Sequence, residues 1–274
     1  MTALEAWVSR VGAHHEQSRR IQEQSAWAPD ASGRYVADTF VADPRRTDDP
    51  VLDRLLGAAT PAATVIDVGG GAGRYALPLA LACRQVPVIE PDPGMVRALR
   101  EQMARHGIEN ITVVEDRWQV ARVAPADVVL GAHVIYDVLA IGEFVHWLAD
   151  HARERVLILA TMPWPMDMLS PFWPPVHGEN RVTLPSVPEL LPVLWEFGIF
   201  PNLEMLSARL PDAFRERDQA LAVLRRMIYV KPGSEQDTRL HSALDALADE
   251  TPAGIAIRNA EPRREALVSW ATAK

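Results

Sequence analysis

The sequence predicts an α/β fold, an open and mostly parallel sheet with helices on both faces. Three observations carry that prediction. Short apolar strand patterns alternate with helical spacing from residue 49 onward, a glycine-rich turn follows the first strand pattern, and several strand patterns end in acidic or polar residues. Right-handed crossovers then gather those ends on one rim, where ligands bind in such sheets.

Leu4 to Trp27 has the spacing of an amphipathic helix, with Leu4, Trp7, Val8, Val11 and Ile21 on one face. Ala28 to Thr47 reads as loop. Asp48-Asp49-Pro50 opens a helix through Leu56, with acid at the cap and proline at its first position. Thr64 to Val68 is apolar or β-branched apart from Asp67, as a strand buried on both faces should be. Arg74 to Cys83 follows as a helix, with Leu77, Ala80 and Leu81 on its apolar side. Strand patterns at Val86 to Ile89, Ile111 to Val114, Ala126 onward and Arg155 to Ala160 come next, with helices at Pro93 to His106 and Ile141 to His151 among them.

Proline density from Met162 to Pro192 excludes a regular helix or central strand through most of that stretch, and predicts a long ordered loop. A helix at Pro188 to Phe197 and a strand at Asn202 to Ala208 come after it. Phe214 to Tyr229 and Glu235 to Leu247 are two further helices, and Ala266 to Thr272 is a last strand.

Gly69, Gly71 and Gly73 stand at alternate positions after the first strand and before a helix. Glycine lets the backbone approach a ligand closely, and a helix start offers unpaired N–H groups and partial positive charge. The register Gly71, Gly73, Ala76 satisfies a dinucleotide fingerprint. The register Asp67-x-Gly69-x-Gly71-x-Gly73 resembles motif I of the class I S-adenosylmethionine-dependent methyltransferases. The likeness covers about Asp49 to Met162 well and is architectural beyond.

That resemblance implies a Rossmann-like sheet of seven strands, the last set antiparallel between the fifth and sixth, with the two helices as a capping insertion. It implies S-adenosyl-L-methionine as cofactor, bound by Asp67, Gly69, Gly70, Gly71, Gly73 and Arg74, with Glu90 and Pro91 at the ribose. Asp116 takes the adenine, with Arg117 and Trp118 beside it and Glu115 as the competing acid; Ala132 and His133 end the fourth strand. Glu90 suits a nicotinamide dinucleotide equally, so an NAD(P)-dependent oxidoreductase stays open, as does a non-catalytic cofactor-binding module. The N-terminal helix either packs on the sheet edge or closes over the cleft, as in small-molecule methyltransferases.

A sulfonium methyl is already electrophilic, so the protein's task is to position the acceptor; a base is needed only if the acceptor must lose a proton. His133 and Tyr136 are the catalytic candidates, while Asp137 reads as a cap for the next helix. Tyr136, Trp164, Trp173, His177 and Arg181 are candidate acceptor-binding residues, the last two because they suit an acidic acceptor. Glu179 beside them offers an ion pair that would only tie the loop. No Asp-Pro-Pro-Tyr-type sequence follows the fourth strand, and no acidic trio of the magnesium-dependent O-methyltransferases is evident, so no metal is expected.

The chain has 274 residues, 48% of them hydrophobic, enough for one main core with an elaboration. Residues 1–48 form the N-terminal helix and lid segment, 49–162 the cofactor-binding core, and 163–274 the acceptor-side loop, remaining strands and cap. Against 28 Lys and Arg stand 36 Asp and Glu, a net charge of −8, and no basic run appears. A nucleic-acid partner needs a basic face, so the expectation is a small-molecule acceptor. The single Cys83 allows no intramolecular disulfide. The absence of a signal-peptide pattern or a membrane-length apolar stretch makes a cytoplasmic protein the expectation, with a homodimer open through the cap.

Overall fold

The computed structural model describes residues 1–25, 40–206, 208, 210 and 213–272. Seven strands form one sheet: β1 (Val65–Val68), β2 (Val86–Ile89), β3 (Ile111–Val114), β4 (Ala126–Ala132), β5 (Ala152–Met162), β6 (Asn202–Met205) and β9 (Arg264–Ala271). Their spatial order is β3-β2-β1-β4-β5-β9-β6. The first five run parallel, and β9 pairs antiparallel with both β5 and β6, as the resemblance implied.

From β1 the chain steps outward through β2 and β3, then returns to build the other half from β4. The direction of winding therefore reverses between β1 and β4, the place where open α/β sheets hold their ligands. Every residue of β1 is buried, including the carboxylate-bearing Asp67, so only the strand's end can reach a ligand.

Helices cover both faces. On one lie α1 (Ala3–Ser25), α5 (Ile141–His151) and α7 (Val187–Glu196), joined by a core that includes Trp7, Phe144 and Leu190. On the other lie α2 (Pro50–Gly57), α3 (Ala76–Ala82) and α4 (Pro93–His106), packed through Leu55, Leu77 and Leu99. Asp49 caps α2 by accepting from the Leu52 N–H, and Asp92 caps α4 in the same way through Met95, each ahead of a first-turn proline. A third core holds the cap of α8 (Arg217–Met227), α9 (Glu235–Leu247) and the hairpin β7 (Ala248–Thr251) and β8 (Gly254–Ile257). The cap is inserted between β6 and β9, and its core reaches Ile21 of α1.

Several expectations need correction. Leu81 lies in the last turn of α3 and is exposed to 46%; Leu79 and Ala80 supply the burial instead. The proline-rich stretch is not simply a loop. It holds a 3-10 helix over Asp167–Phe172 and α6 (Trp173–His177), because Pro174 falls in the first turn of α6, where no intrahelical N–H is needed. The β7–β8 hairpin had no counterpart in the sequence reading. Residues 26 and 27 of the first predicted helix, most of the Ala28–Thr47 loop and residue 207 of the sixth predicted strand lie outside the described residues. Among the described residues, no helix is long and apolar enough to cross a membrane.

Candidate functional site

The glycine turn leaves β1 with Gly69, Gly71 and Gly73 all at positive φ. Their surroundings differ. A Cβ on Gly73 would meet Leu99 Cδ1 at 2.6 Å and Leu77 Cγ at 2.8 Å, so this glycine lets helix and turn pack. A Cβ on Gly71 would meet only Met95 Sδ, at 3.9 Å, which leaves that side of the turn open to a ligand.

Asp67 lies directly beneath the turn and is 1% exposed, and its Oδ1 has no hydrogen-bond partner. Burial, with the Glu90 charge adding to it, pushes this carboxyl up to about 7. Glu90, at the tip of β2, accepts from the Gly71 N–H at 2.9 Å and the Asp92 N–H at 2.8 Å. Burial raises its pKa while those two N–H groups oppose the rise. A carboxylate offers about four acceptor sites, so two bonded N–H groups leave room for ribose hydroxyls. Pro91 beside it is exposed.

At the end of β3, Asp116 is exposed, whereas Glu115 pairs with Arg100 of α4 at 2.5 Å. The competitor is thus engaged away from the rim. Arg117 is exposed, and the half-buried Trp118 meets Phe144 edge-on at 5.1 Å. Arg74 points back toward Asp49, 3.9 Å away, and Tyr75 is buried.

Ala132 ends β4, and the turn after it makes contacts on two sides. A Cβ on Gly69 would come within 2.4 Å of Val134, so this turn touches the glycine loop. His133 adopts φ +58, a left-handed conformation histidine enters more readily than most residues. Its Nε2 stands 3.2 Å from Glu265 on β9, and its Nδ1 stands 3.1 Å from the Tyr136 hydroxyl. That hydroxyl also accepts from the Thr161 N–H at 2.8 Å and lies 3.0 Å from Thr161 Oγ1. One donor order satisfies every atom: Thr161 Oγ–H to Tyr136, Tyr136 O–H to His133 Nδ1, and His133 Nε2–H to the Glu265 carboxylate. Burial pushes the Tyr136 phenol up to about 12, so it remains the donor.

His133 and Tyr136 line a cavity of about 400 Å³ together with His14, His15, Ser18, Asp137, Trp164, Leu184 and Tyr229. Asp137 is therefore a cavity residue, and the α5 N-cap is Ala140. The wall from α1 is held by a row of bonds to an extended segment at residues 179–184. Arg10 donates to the Thr183 carbonyl, His14 to the Val182 carbonyl, Gln17 to the Asn180 carbonyl, and Arg20 pairs with Glu179. Positions 10, 14, 17 and 20 share one helix face. The N-terminal helix packs into the core on this face of the sheet through Trp7 and Val11, and it walls the cavity.

The other predicted acceptor residues divide. Trp164 lines the cavity. Trp173 is fully buried in the cap core, and His177 lies tilted against it, ring centroids 4.6 Å apart, while donating to the Ile228 carbonyl at 2.8 Å. Arg181 lies between Trp164 and Trp173, 4.7 and 5.0 Å from their rings, and its two terminal nitrogens donate to the Met166 and Met227 carbonyls. Glu179 pairs with Arg20 rather than with its neighbour Arg181. The sequence reading did not single out His14, Ser18, Thr161, Leu184, Tyr229 or Glu265. One signal was available: His14, Gln17 and Ser18 interrupt the apolar face of α1, and all three are buried.

No family model matches the chain. A 53-residue stretch is 34% identical to the "Probable ribosomal RNA small subunit methyltransferase A" of Methanosphaera stadtmanae, covering 19% of this chain and 20% of that protein. The chain thus spans about a fifth of that relative's length. The YcgJ protein of Bacillus subtilis is similar over 81% of this chain and 98% of its own, with a TM-score of 0.57 and 11% identity. BH2331 of Bacillus halodurans C-125, a candidate methyltransferase, is similar over 81% of this chain and 99% of its own, with a TM-score of 0.56 and 11% identity. At this level of identity the likeness establishes a shared fold, a Rossmann-like α/β sheet with its last strand antiparallel.

Proposed function

We propose that this protein is an S-adenosyl-L-methionine-dependent methyltransferase with a small-molecule acceptor. The observation that carries the reading is the turn after β4. Val134 abuts the glycine loop on one side, and His133 and Tyr136 face a cavity of about 400 Å³ on the other. Two ligand sites share one short turn, as transfer between two bound molecules requires.

The residues fit the cofactor. The unpartnered, buried Asp67 oxygen suits an ammonium group reached through water or backbone, and the open side of Gly71 admits the adjoining chain. In this reading Glu90 takes the ribose hydroxyls and Asp116 the adenine amino group. When bound, the cofactor supplies a strongly electrophilic sulfonium methyl. The chain's own part is to hold the acceptor, orient it and keep water out. His133, fixed by Glu265 and Tyr136, orients the acceptor-side wall beneath α1.

A cavity of this volume, near the lower end of the usual range for small-molecule sites, supports a compact acceptor. The formal charge of −8 argues in the same direction against a nucleic-acid surface. Residues 49–162 would serve as the cofactor half, with 1–48 and 163–274 enclosing the acceptor.

Calorimetric titration with S-adenosylmethionine, S-adenosylhomocysteine and NADH tests the reading. Micromolar binding of the first two without NADH is the expected result, and NADH binding alone would assign the sheet to an oxidoreductase. Tight S-adenosylmethionine binding with no transfer across a broad acceptor panel would instead identify a cofactor-binding module.

A further inference from the structure

Both ring nitrogens of His133 are committed, Nε2 to Glu265 and Nδ1 to Tyr136. In that donor order His133 presents no lone pair to an acceptor in the cavity. The Tyr136 oxygen is likewise surrounded by Thr161 and His133. A proton leaving the acceptor needs another destination.

His14, on α1, is the remaining imidazole that is both buried and in the cavity wall. Its Nδ1 lies 2.5 Å from the Val182 carbonyl oxygen, an atom that can only accept, so the proton of the neutral ring sits on Nδ1. This leaves the Nε2 lone pair on the inner side of the helix, with Ser18 Oγ at a long 3.5 Å. Carbonyl-fixed tautomers of this kind aim a histidine for use at its other nitrogen. The ring meets Trp164 edge-on at 5.3 Å, which holds its plane.

We propose that His14 Nε2 is the general base of the transfer, and that the acceptor is a phenol on a one- or two-ring aromatic frame. This rests on the methyltransferase reading above. Trp164 and Tyr229 give the cavity flat aromatic walls, which suit a planar ring. A phenol is weakly acidic, so its oxygen gains most from a base acting during the transfer. The hydroxyl proton passes to His14 Nε2 as the acceptor oxygen bonds to the sulfonium methyl. The sulfur–carbon bond breaks with its electron pair on sulfur, and the imidazolium later returns its proton to solvent. The base is free to accept near neutral pH. Burial lowers the His14 pKa most, Arg181 and His15 push the same way, and the Val182 carbonyl and Asp137 oppose them.

Histidine-labelled protein, free of cofactor, gives a test independent of turnover. In nitrogen-15 NMR, with His14 assigned by its loss in H14N, the expected result is the Nδ1–H tautomer and an Nε2 resonance that moves on adding 1-naphthol. An Nε2–H tautomer, or a stationary resonance, overturns the proposal. With S-adenosylmethionine and a panel of phenol, catechol, 1-naphthol, aniline and thiophenol, transfer to the phenols is expected. H14N should lower kcat by about 100-fold or more while KM stays within about two-fold, and added imidazole should restore part of the activity of H14A. The asparagine amide can still donate to Val182, and a thermal melt identifies folded variants. Unaltered kcat and pH profile in H14N, or wild-type transfer to aniline or thiophenol alone, or to none of the panel, overturns it. S-adenosylmethionine binding with an unresponsive His14 sinks this proposal alone; absence of that binding removes the methyltransferase reading beneath it.

Discussion

Glu265 on the last strand stands 3.2 Å from His133 at the end of the fourth, although 131 positions of sequence separate them. The antiparallel pairing of β9 with β5 makes the meeting possible. It sets Glu265 opposite Thr161, the residue whose backbone N–H holds Tyr136. Glu265, His133, Tyr136 and Thr161 thus form one chain of donors and acceptors across three strands' ends.

Removing the Tyr136 hydroxyl breaks that chain at a buried point. Y136F should cost about 1–3 kcal/mol, because the Thr161 N–H and His133 Nδ1 both lose their partner. Urea denaturation checks the figure, and a loss within error would mean that water replaces the hydroxyl.

Asp67 gives the protein a pH signature. Its folded-state pKa, about 7, lies above the unfolded value, so its contribution to stability is intact at acidic pH and is lost as pH rises toward neutrality. The slope is at most about 1.4 kcal/mol per pH unit. D67N should flatten the dependence of urea midpoint on pH between about 4 and about 7. A ligand ammonium that favours ionised Asp67 should also release a proton on binding near neutral pH. Calorimetry in buffers of different ionisation enthalpy reads that proton directly.

Gly71 and Gly73 should separate binding from folding. G73A forces a Cβ against Leu77 and Leu99 at positive φ and should destabilise by about 2 kcal/mol or more. G71A meets open space, so it should cost only about 1 kcal/mol of backbone strain and lower S-adenosylmethionine affinity instead. Equal loss of affinity in two folded variants would contradict the open cradle at Gly71.

The two acids after β3 make a matched pair. D116A should weaken S-adenosylmethionine binding by about 1–3 kcal/mol, as expected for a lost hydrogen bond to a charged group, while E115Q should leave it unchanged because Glu115 pairs with Arg100. Reversal of that order in calorimetry would move the adenine site to Glu115.

The sheet was legible because its signals are local. Apolar runs, glycines and the cap at Asp49 each act within a few residues, and α9 matches its predicted limits, Glu235 to Leu247. The acceptor side was not legible to the same degree. Its contacts join α1 to residues 179–184 and β4 to β9, pairings that no periodicity encodes. Arg181 illustrates the difficulty: a cation in an aromatic, proline-rich segment suggests an anion-binding group, yet its terminal nitrogens are spent on backbone carbonyls. The two short helices at 167–177 escaped for a related reason, since proline disfavours a helix interior but suits its first turn.

The row of side chains by which α1 grips residues 179–184 separates two inheritances within one chain. The glycine loop and acidic strand ends belong to the sheet. The cavity's outer wall belongs to a surface helix gripped through Arg10, His14, Gln17 and Arg20. Residues between those anchors, such as His15 and Ser18, can vary without loosening the grip, so what the cavity admits can diversify while what the loop holds stays fixed.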